Sequence, residues 1–422
     1  MTLAIVNGHL IDPAAGTAAP LDLLIDGSVV AKIGTGLTGD QVIDASGCVV
    51  CPGLVDIHVH FREPGFESKE TIQTGCRAAA RGGVTTVVTM ANTAPPIDNA
   101  GMVEFVQRRA REEGCIKVRP AACATKGMKG EELTEMAELH DVGAVAVTDD
   151  GRDIPSSWTM RRVLEYAKMA GLPVLAHCED PTLGAEGAMN EGFNSTKLGI
   201  PGIPKAVEEI AIERNIRIAE LTGAHLHIQH VTTAEGVNII RRAKAKGINV
   251  TCETCPHYWT LTDDAVLEFD TNAKMNPPLR EAEDVAAIIE GLKDGTIDCI
   301  ATDHAPHTAT EKNVEFGFAP FGIVGLETLL GLTITDLVAP GHLSIERAIA
   351  LMTCEPSRIC DLGVGVLREG GPADVCVFDP NAEWTVDPER FASRSRNTPF
   401  TGRRLRGLVK HTVCDGRLVY SA

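Results

Sequence analysis

His58 and His60 stand two residues apart in Asp56-Ile57-His58-Val59-His60-Phe61-Arg62, at the end of an apolar run that reads as a β-strand. A strand alternates its side chains, so both imidazoles fall on one face and can address one ion. Alone, such a pair fits a core or surface role as well as a metal site, although His is a common metal ligand. Four more apolar runs end in ligand types: Asp149-Asp150 after AVAVT, His177 after PVLA, His230 after HLHIQ and Asp303 after DCIAT. Two Asp and four His converging without metal would set carboxylates against each other and leave imidazoles short of partners. Divalent cations remove that conflict, and nitrogen–oxygen ligation suits zinc, with manganese or cobalt as substitutes. One ion falls to His58 and His60 and a second to His177 and His230, with an Asp bridging, so one or two Zn2+ per chain are expected. A water shared by such ions is acidic enough to attack at neutral pH, and Asp303 is placed to serve as its general base and acid.

The elements that must position these residues can be read from the same runs. LVDIHVHF, TTVVTMAN, KVRPAAC, AVAVTDD, PVLAHCED, HLHIQHV, NVTCETC and DCIATDHA alternate with stretches of helical spacing such as MRRVLEYAKMAG and GVNIIRRAKAKG, often closed by Gly. Eight such alternations predict a parallel (β/α)8 TIM barrel over 54–363, and such a barrel builds its site at the C-terminal ends of its strands, where the polar residues sit. A doubly wound open sheet is the other arrangement that this alternation allows. Both chain ends differ. Short alternating strands recur in residues 1–53 and again in 364–422, and Asn7-Gly8, Asp26-Gly27 and Asp415-Gly416 carry two-residue hairpin signals. Each end is too short for a sheet core of its own, so together they predict one small β-sandwich-like domain beside the barrel.

Composition narrows the function classes. Of 422 residues, 39 are Lys or Arg and 57 are Asp or Glu, a net charge of −18 that opposes binding to nucleic acid or an anionic membrane surface. Aromatics are only 4%, too few for single-strand stacking platforms. The chain opens MTLAIVNGHLIDPAAG, without a basic n-region or a long apolar stretch, and no run approaches a membrane span. Thirteen Cys, an odd number, are scattered without paired spacing; Cys252-x-x-Cys255 has no second pair, so a zinc ribbon is weakly supported. Free thiols in a reducing cytoplasm are the expectation.

The motifs together resemble the amidohydrolase superfamily, and specifically dihydroorotases of the long, bacterial class I type. The resemblance spans essentially the whole chain. PGLVDIHVH, TDHAPH and PADVCVFDP are superfamily-wide, whereas HFREPG, the Asn of MANT, NPPLR and the second His of DHAPH discriminate. It implies metal binding by His58, His60, Asp150, His177, His230 and Asp303, with Asp303 also shuttling protons during ring opening and closure. Asp150 would take the bridging place that a carboxylated Lys fills in hydantoinases and in other dihydroorotases, leaving Asp149 on the opposite face. Substrate contacts are implied for His60, Arg62, Asn92, Asn276 and His307, and for the backbone at Phe321 and Gly322. Arg62 would clamp a ring carboxylate with its planar fork, a task Lys performs poorly. Without the resemblance, Asn92 and Asn276 read as loop caps beside Pro-rich turns. One departure stands out: the family usually shows MPNT where this chain has Met90-Ala91-Asn92-Thr93.

The activity implied is the reversible cyclisation of N-carbamoyl-L-aspartate to L-dihydroorotate in pyrimidine biosynthesis, by hydroxide attack on the ring amide in the hydrolytic direction. A hydantoinase, dihydropyrimidinase or allantoinase is the nearest alternative, but those rings lack the carboxylate that Arg62 would pair. The other is a non-catalytic dihydroorotase-like partner of aspartate transcarbamoylase; the full ligand set argues against it. A small anionic substrate, a homodimer and association with aspartate transcarbamoylase are the expected partners. Arg62 and His307 with the metals would supply the local positive field that an anion needs in an acidic chain. The stretch 307–321 reads as a mobile loop near the site.

Overall fold

The computed structural model describes residues 2–184 and 186–422. Eight parallel strands lie in sequence order around one sheet: β1 (Leu54–Val59), β2 (Val84–Thr89), β3 (Lys117–Ala122), β4 (Ala146–Val147), β5 (Val174–Ala176), β6 (Leu226–Ile228), β7 (Val250–Thr254) and β8 (Cys299–Ile300). All eight coincide with the runs read from the sequence. The sheet comes round on itself past β8, where His304 bridges Val59 in parallel register and accepts the His60 N–H at 2.9 Å. The open doubly wound sheet is thereby excluded.

The helices between the strands start and stop where side-chain chemistry allows. Thr71 caps Ile72–Arg81, Ser156 caps Ser157–Ala170 and Thr233 caps Ala234–Ala245, each hydroxyl accepting a first-turn N–H. Gly171 ends the second of these in the left-handed conformation that a side chain disfavours. Their apolar faces and the outer faces of the strands share one core that includes Leu54, Val84, Val103, Leu164, Ile216 and Ile240. A second cluster joins Val55, Val88, Ala121, Ala146, Leu175 and Cys299 of the strands to Ile359–Val364. Core packing thus fixes the strand ends from both sides, and the ends carry the polar residues.

The chain termini build two further sheets. Val29–Gly34, Asp22–Asp26, Thr2–Val6 and Gln41–Asp44 form one. Arg417–Ser421, Arg404–Cys414, Val375–Thr385, Val49–Pro52, His9–Asp12 and Thr17–Pro20 form the other, interleaving both ends of the chain. Leu3, Ile5, Leu23 and Ile25 pack against Leu10, Val50, Val375, Val377 and Val413 to fill the space between them. Asp415-Gly416 turns a two-residue hairpin, with both residues at positive φ and Cys414 opposite Arg417. The strand ending at Asp26 likewise folds back onto Val29.

Asn7-Gly8 does not make the expected hairpin. Thr2–Val6 already has a partner on each side, so the chain crosses at Asn7-Gly8 into the other sheet. Gly8 is required there by close approach, since a Cβ would lie 2.5 Å from Val50 Cγ2.

The 307–321 stretch is also more ordered than a bare loop. Thr308 caps a short helix, Ala309–Lys312, and the buried Lys312 ammonium donates to the carbonyls of Thr271, Lys274 and Pro320 at 2.9, 3.2 and 2.8 Å. Lys274, also buried, donates to Phe316 and Gly317.

Candidate active site

His58, His60, Asp150, His177, His230 and Asp303 converge where β1, β4, β5, β6 and β8 end. Asp150 sits at the centre, with its carboxylate 3.4 Å from His58 Nε2, 3.3 Å from His60 Nε2, 3.7 Å from His177 Nδ1 and 3.6 Å from His230 Nε2. Asp303 Oδ1 lies 3.0 Å from His60 Nε2 and 3.5 Å from His58 Nε2. Asp149, one residue earlier, turns away and accepts the N–H groups of Ala124 and Thr125 at 2.9 and 3.0 Å. The strand's alternation thus separates the two carboxylates. His230 and Asp303, like Arg62, hold positive φ values of 34°, 48° and 61°, sparsely populated backbone for side-chain-bearing residues and common at functional sites.

The imidazoles are aimed from behind. His58 Nδ1 donates to Glu253 Oε1 at 2.5 Å, His60 Nδ1 to Asn92 Oδ1 at 2.8 Å, and His177 Nε2 to Glu179 Oε2 at 2.7 Å. Each bond fixes one tautomer and turns the other nitrogen, as a lone pair, toward Asp150. Glu179 and Glu253 escaped the sequence reading, because a lone carboxylate in a strand or beside it resembles any other. The signal available was period two, which puts Glu253 on the strand face of Thr251, and Glu179 two residues past His177. Asn92 and Asn276 do not cap loops. Asn92 orients His60, and Asn276 Nδ2 donates to Glu179 at 2.8 Å, bracing the carboxylate that holds His177.

This donor set fits a divalent cation. His58 Nε2 is buried with no hydrogen-bond partner, and His177 Nδ1 faces His230 Nε2 at 2.8 Å. Two groups of ligand atoms, His58–His60–Asp303 and His58–Asp150–His230, each gather within 4.8 Å. The field has the sign that draws cations. Burial opposes charge on His58 and His177, yet Asp150, Glu253 and Asp303 raise the first well above its ordinary value, and Glu179 with Asp150 raises the second to about 9. Burial would push Asp303 up, but His58 and His60 hold it at about 2, and His177 likewise holds Glu179 at about 2.

The ligands open onto a cleft of about 370 Å³ lined also by Arg62, Asn92, Asn276, His307, Phe321 and Gly322. Every sequence-predicted site residue lines it except His58, which lies beneath. Arg62 donates to the Pro306 carbonyl at 3.3 Å and forms no ion pair with any described carboxylate. His307 is not a cation. Burial, with Arg62, Lys312 and Lys69 nearby, pulls it down to about 2, and its Nε2 donates to the Phe321 carbonyl at 2.8 Å. Arg62 is therefore the cationic side chain lining the cleft; Lys69 behind His307 is paired with Glu311 at 2.8 Å. Gly322 lines the cleft with its backbone already spent, its N–H on the Lys274 carbonyl and its carbonyl on Asn397. On that wall the Phe321 N–H is the group left for a ligand.

Two family models match: Dihydro-orotase-like over residues 47–236 and Amidohydrolase family over 203–420. The dihydroorotase of Pelobacter propionicus is 52% identical over the full length of both chains, and that of Pelotomaculum thermopropionicum is 51% identical over 99% of this chain and 98% of its own. The chain belongs to the dihydroorotase family. Among solved structures, the L-hydantoinase of Arthrobacter aurescens superposes with a TM-score of 0.90 at 25% identity, over 99% of this chain and 96% of that one. The dihydropyrimidinase of Brevibacillus agri does so at 0.88 and 25%, over 100% and 95%. Dihydroorotases therefore share their barrel with cyclic amidases of other ring substrates, and this member is a metal-dependent cyclic amide hydrolase. What separates it from those neighbours must lie in the cleft rather than in the fold.

Proposed function

We propose that the cleft interconverts L-dihydroorotate and N-carbamoyl-L-aspartate, the ring-closing step of pyrimidine biosynthesis. The observation that carries this choice is Arg62, a half-buried guanidinium in the cleft that makes no ion pair with a carboxylate of the described residues. Burial already lowers it to about 10. The carboxylate on the dihydroorotate ring supplies the missing anion in a geometry that the planar fork accepts bidentately. Hydantoin and dihydrouracil carry no such group and would leave the cation unpaired.

His58, His60, His177, His230, Asp150 and Asp303 would hold one or two Zn2+. A cation bound there polarises the ring carbonyl and acidifies the attacking water. Asp303, ionised at neutral pH and at the end of β8, accepts the proton of that water and delivers it to the ring nitrogen as the amide bond breaks. In the synthetic direction it takes the proton from the attacking carbamoyl nitrogen and returns it to the oxygen that leaves as water. Asn92 and Glu253 hold His60 and His58 in place; Asn276 and Glu179 do so for His177. Zinc is favoured among metals because four nitrogen ligands accompany two carboxylates.

Other features extend the reading. Residues 54–363 form the catalytic unit, and 1–53 with 364–422 a composite β domain, supported by the core shared between the two terminal sheets. No described helix is long and apolar enough to cross a membrane, and all thirteen Cys are free thiols, which supports a cytoplasmic enzyme. A homodimer, the commonest closed assembly, and association with aspartate transcarbamoylase complete the proposal. The test of substrate class compares kcat/KM for L-dihydroorotate with hydantoin and dihydrouracil. Preference for an uncharged ring would overturn it.

A further inference from the structure

A line of polar side chains runs through the barrel from the metal-facing histidines toward the opposite end of the strands. His58 Nδ1 lies 2.5 Å from Glu253 Oε1, and Glu253 Oε2 lies 3.2 Å from His227 Nε2. His227 Nδ1 lies 2.9 Å from Thr251 Oγ1, and the same hydroxyl lies 2.9 Å from His225 Nε2. His225 borders a cavity of about 700 Å³ lined by residues that precede the strands, among them Val145, Pro173 and Asn249. The register explains the alignment. His227 pairs with Thr251 across β6 and β7, and period two places His225 beside His227 and Glu253 beside Thr251 on one face.

The short contact to Glu253 sets the hydrogens of the line, and it requires the Gln229 amide, whose nitrogen position lies 3.2 Å from His58 Nδ1, to face that ring with its oxygen. A carboxylate accepts on both oxygens, so His58 must carry its proton on Nδ1 and His227 on Nε2. His227 Nδ1 is then an acceptor, which obliges the Thr251 hydroxyl to donate to it. The hydroxyl's lone pair in turn receives His225 Nε2–H. With His227 neutral and Glu253 ionised, turning the Thr251 hydroxyl round would leave two lone pairs facing each other at His227 Nδ1 in a buried site, which is costly. His227, Glu253 and Cys299 also bring ligand atoms within 4.8 Å of one another, but the chain already engages the first two.

We propose that Thr251 and His227 are positioning residues that, through Glu253, lock His58 in the Nδ1–H tautomer and so present its Nε2 lone pair to the metal. The inference rests on His58 being a metal ligand. It also accounts for two buried polar residues, His227 and Glu253, that do not line the cleft.

Thr251→Val keeps the shape of the side chain and removes the hydroxyl, whereas Thr251→Ser keeps the hydroxyl and removes the methyl. Two readouts apply: zinc affinity by chelator competition, and the 15N imidazole spectrum of the metal-free protein. Thr251→Val is expected to weaken zinc binding roughly tenfold or more, the size of effect usual for groups behind a metal ligand. It is also expected to mix the His58 tautomers, while Thr251→Ser matches wild type in both. Unchanged zinc affinity and a single tautomer in Thr251→Val would overturn the proposal. Equal losses in both variants would do so too, since packing would then explain them. A wild type that shows the Nδ1–H tautomer yet retains no zinc would support the relay and overturn the metal reading instead.

Discussion

Asp303 is the residue on which the chemistry turns: it lines the cleft with its carboxylate 3.0 Å from His60 Nε2 and 3.5 Å from His58 Nε2, whereas Asp150, the other carboxylate there, is set among all four histidines. Replacing it with Ala is expected to cut turnover roughly 10²–10⁴-fold, the usual worth of a positioned acid–base group. Metal should be retained at least in part, since Asp150 and the four His remain, and metal analysis beside the rate measurement checks both halves. Activity near wild type would remove Asp303 from its role. Arg62 makes a different claim, about binding. Arg62→Lys keeps the charge but loses the fork, so KM for dihydroorotate should rise roughly tenfold or more, on the order of a hydrogen bond to a charged group, with a smaller change in kcat. An unchanged KM would mean that the ring carboxylate binds elsewhere.

At the scale of elements, legibility followed physical pattern. The eight barrel strands were readable because short β-branched runs separated by helical spacing have few other folded solutions, and their polar last residues marked the site. Asn7-Gly8 misled because a turn signal reports the local backbone and not which strand edge is free. What anchors the 307–321 segment was hidden for another reason: buried Lys312 within it binds the carbonyls of Thr271, Lys274 and Pro320, and buried Lys274 from outside it binds those of Phe316 and Gly317, pairings that no local pattern announces. Burial, with Lys274 and Arg62 nearby, lowers Lys312 to about 7. An unfolded Lys keeps its proton to about pH 10.4, so between these values the unfolded chain binds more protons and wild-type stability rises with pH. Below about 7 both states are charged and the full cost of burying the ammonium is present. Thermal unfolding of wild type and Lys312→Met across pH 6 to 10 should therefore show the wild type gaining on the variant as pH rises. Parallel curves would contradict the buried-charge account.

For the whole molecule, the acidic balance and the anionic substrate are reconciled by local field. The −18 chain repels large polyanions, while Arg62, together with the cation that the ligand set would hold, would reverse the sign inside one cleft. The terminal sheets and the barrel are joined closely enough to unfold together: Lys117 pairs with Asp374 at 2.5 Å, and the Thr412 hydroxyl donates to the Ala80 carbonyl at 2.7 Å. Calorimetry should show a single transition, and two separated ones would mean that the composite β domain is energetically independent. Six convergent side chains of ligand type and an arginine without an ion-pair partner among the described residues are the features expected of a metal-dependent dihydroorotase. The decisive measurement is dihydroorotate hydrolysis and metal content on the same purified sample, before and after chelation and zinc addition. One or two zinc ions per chain, with activity lost on chelation and restored by zinc, is the predicted result; a chain that binds no metal and stays inactive when zinc is supplied would contradict it.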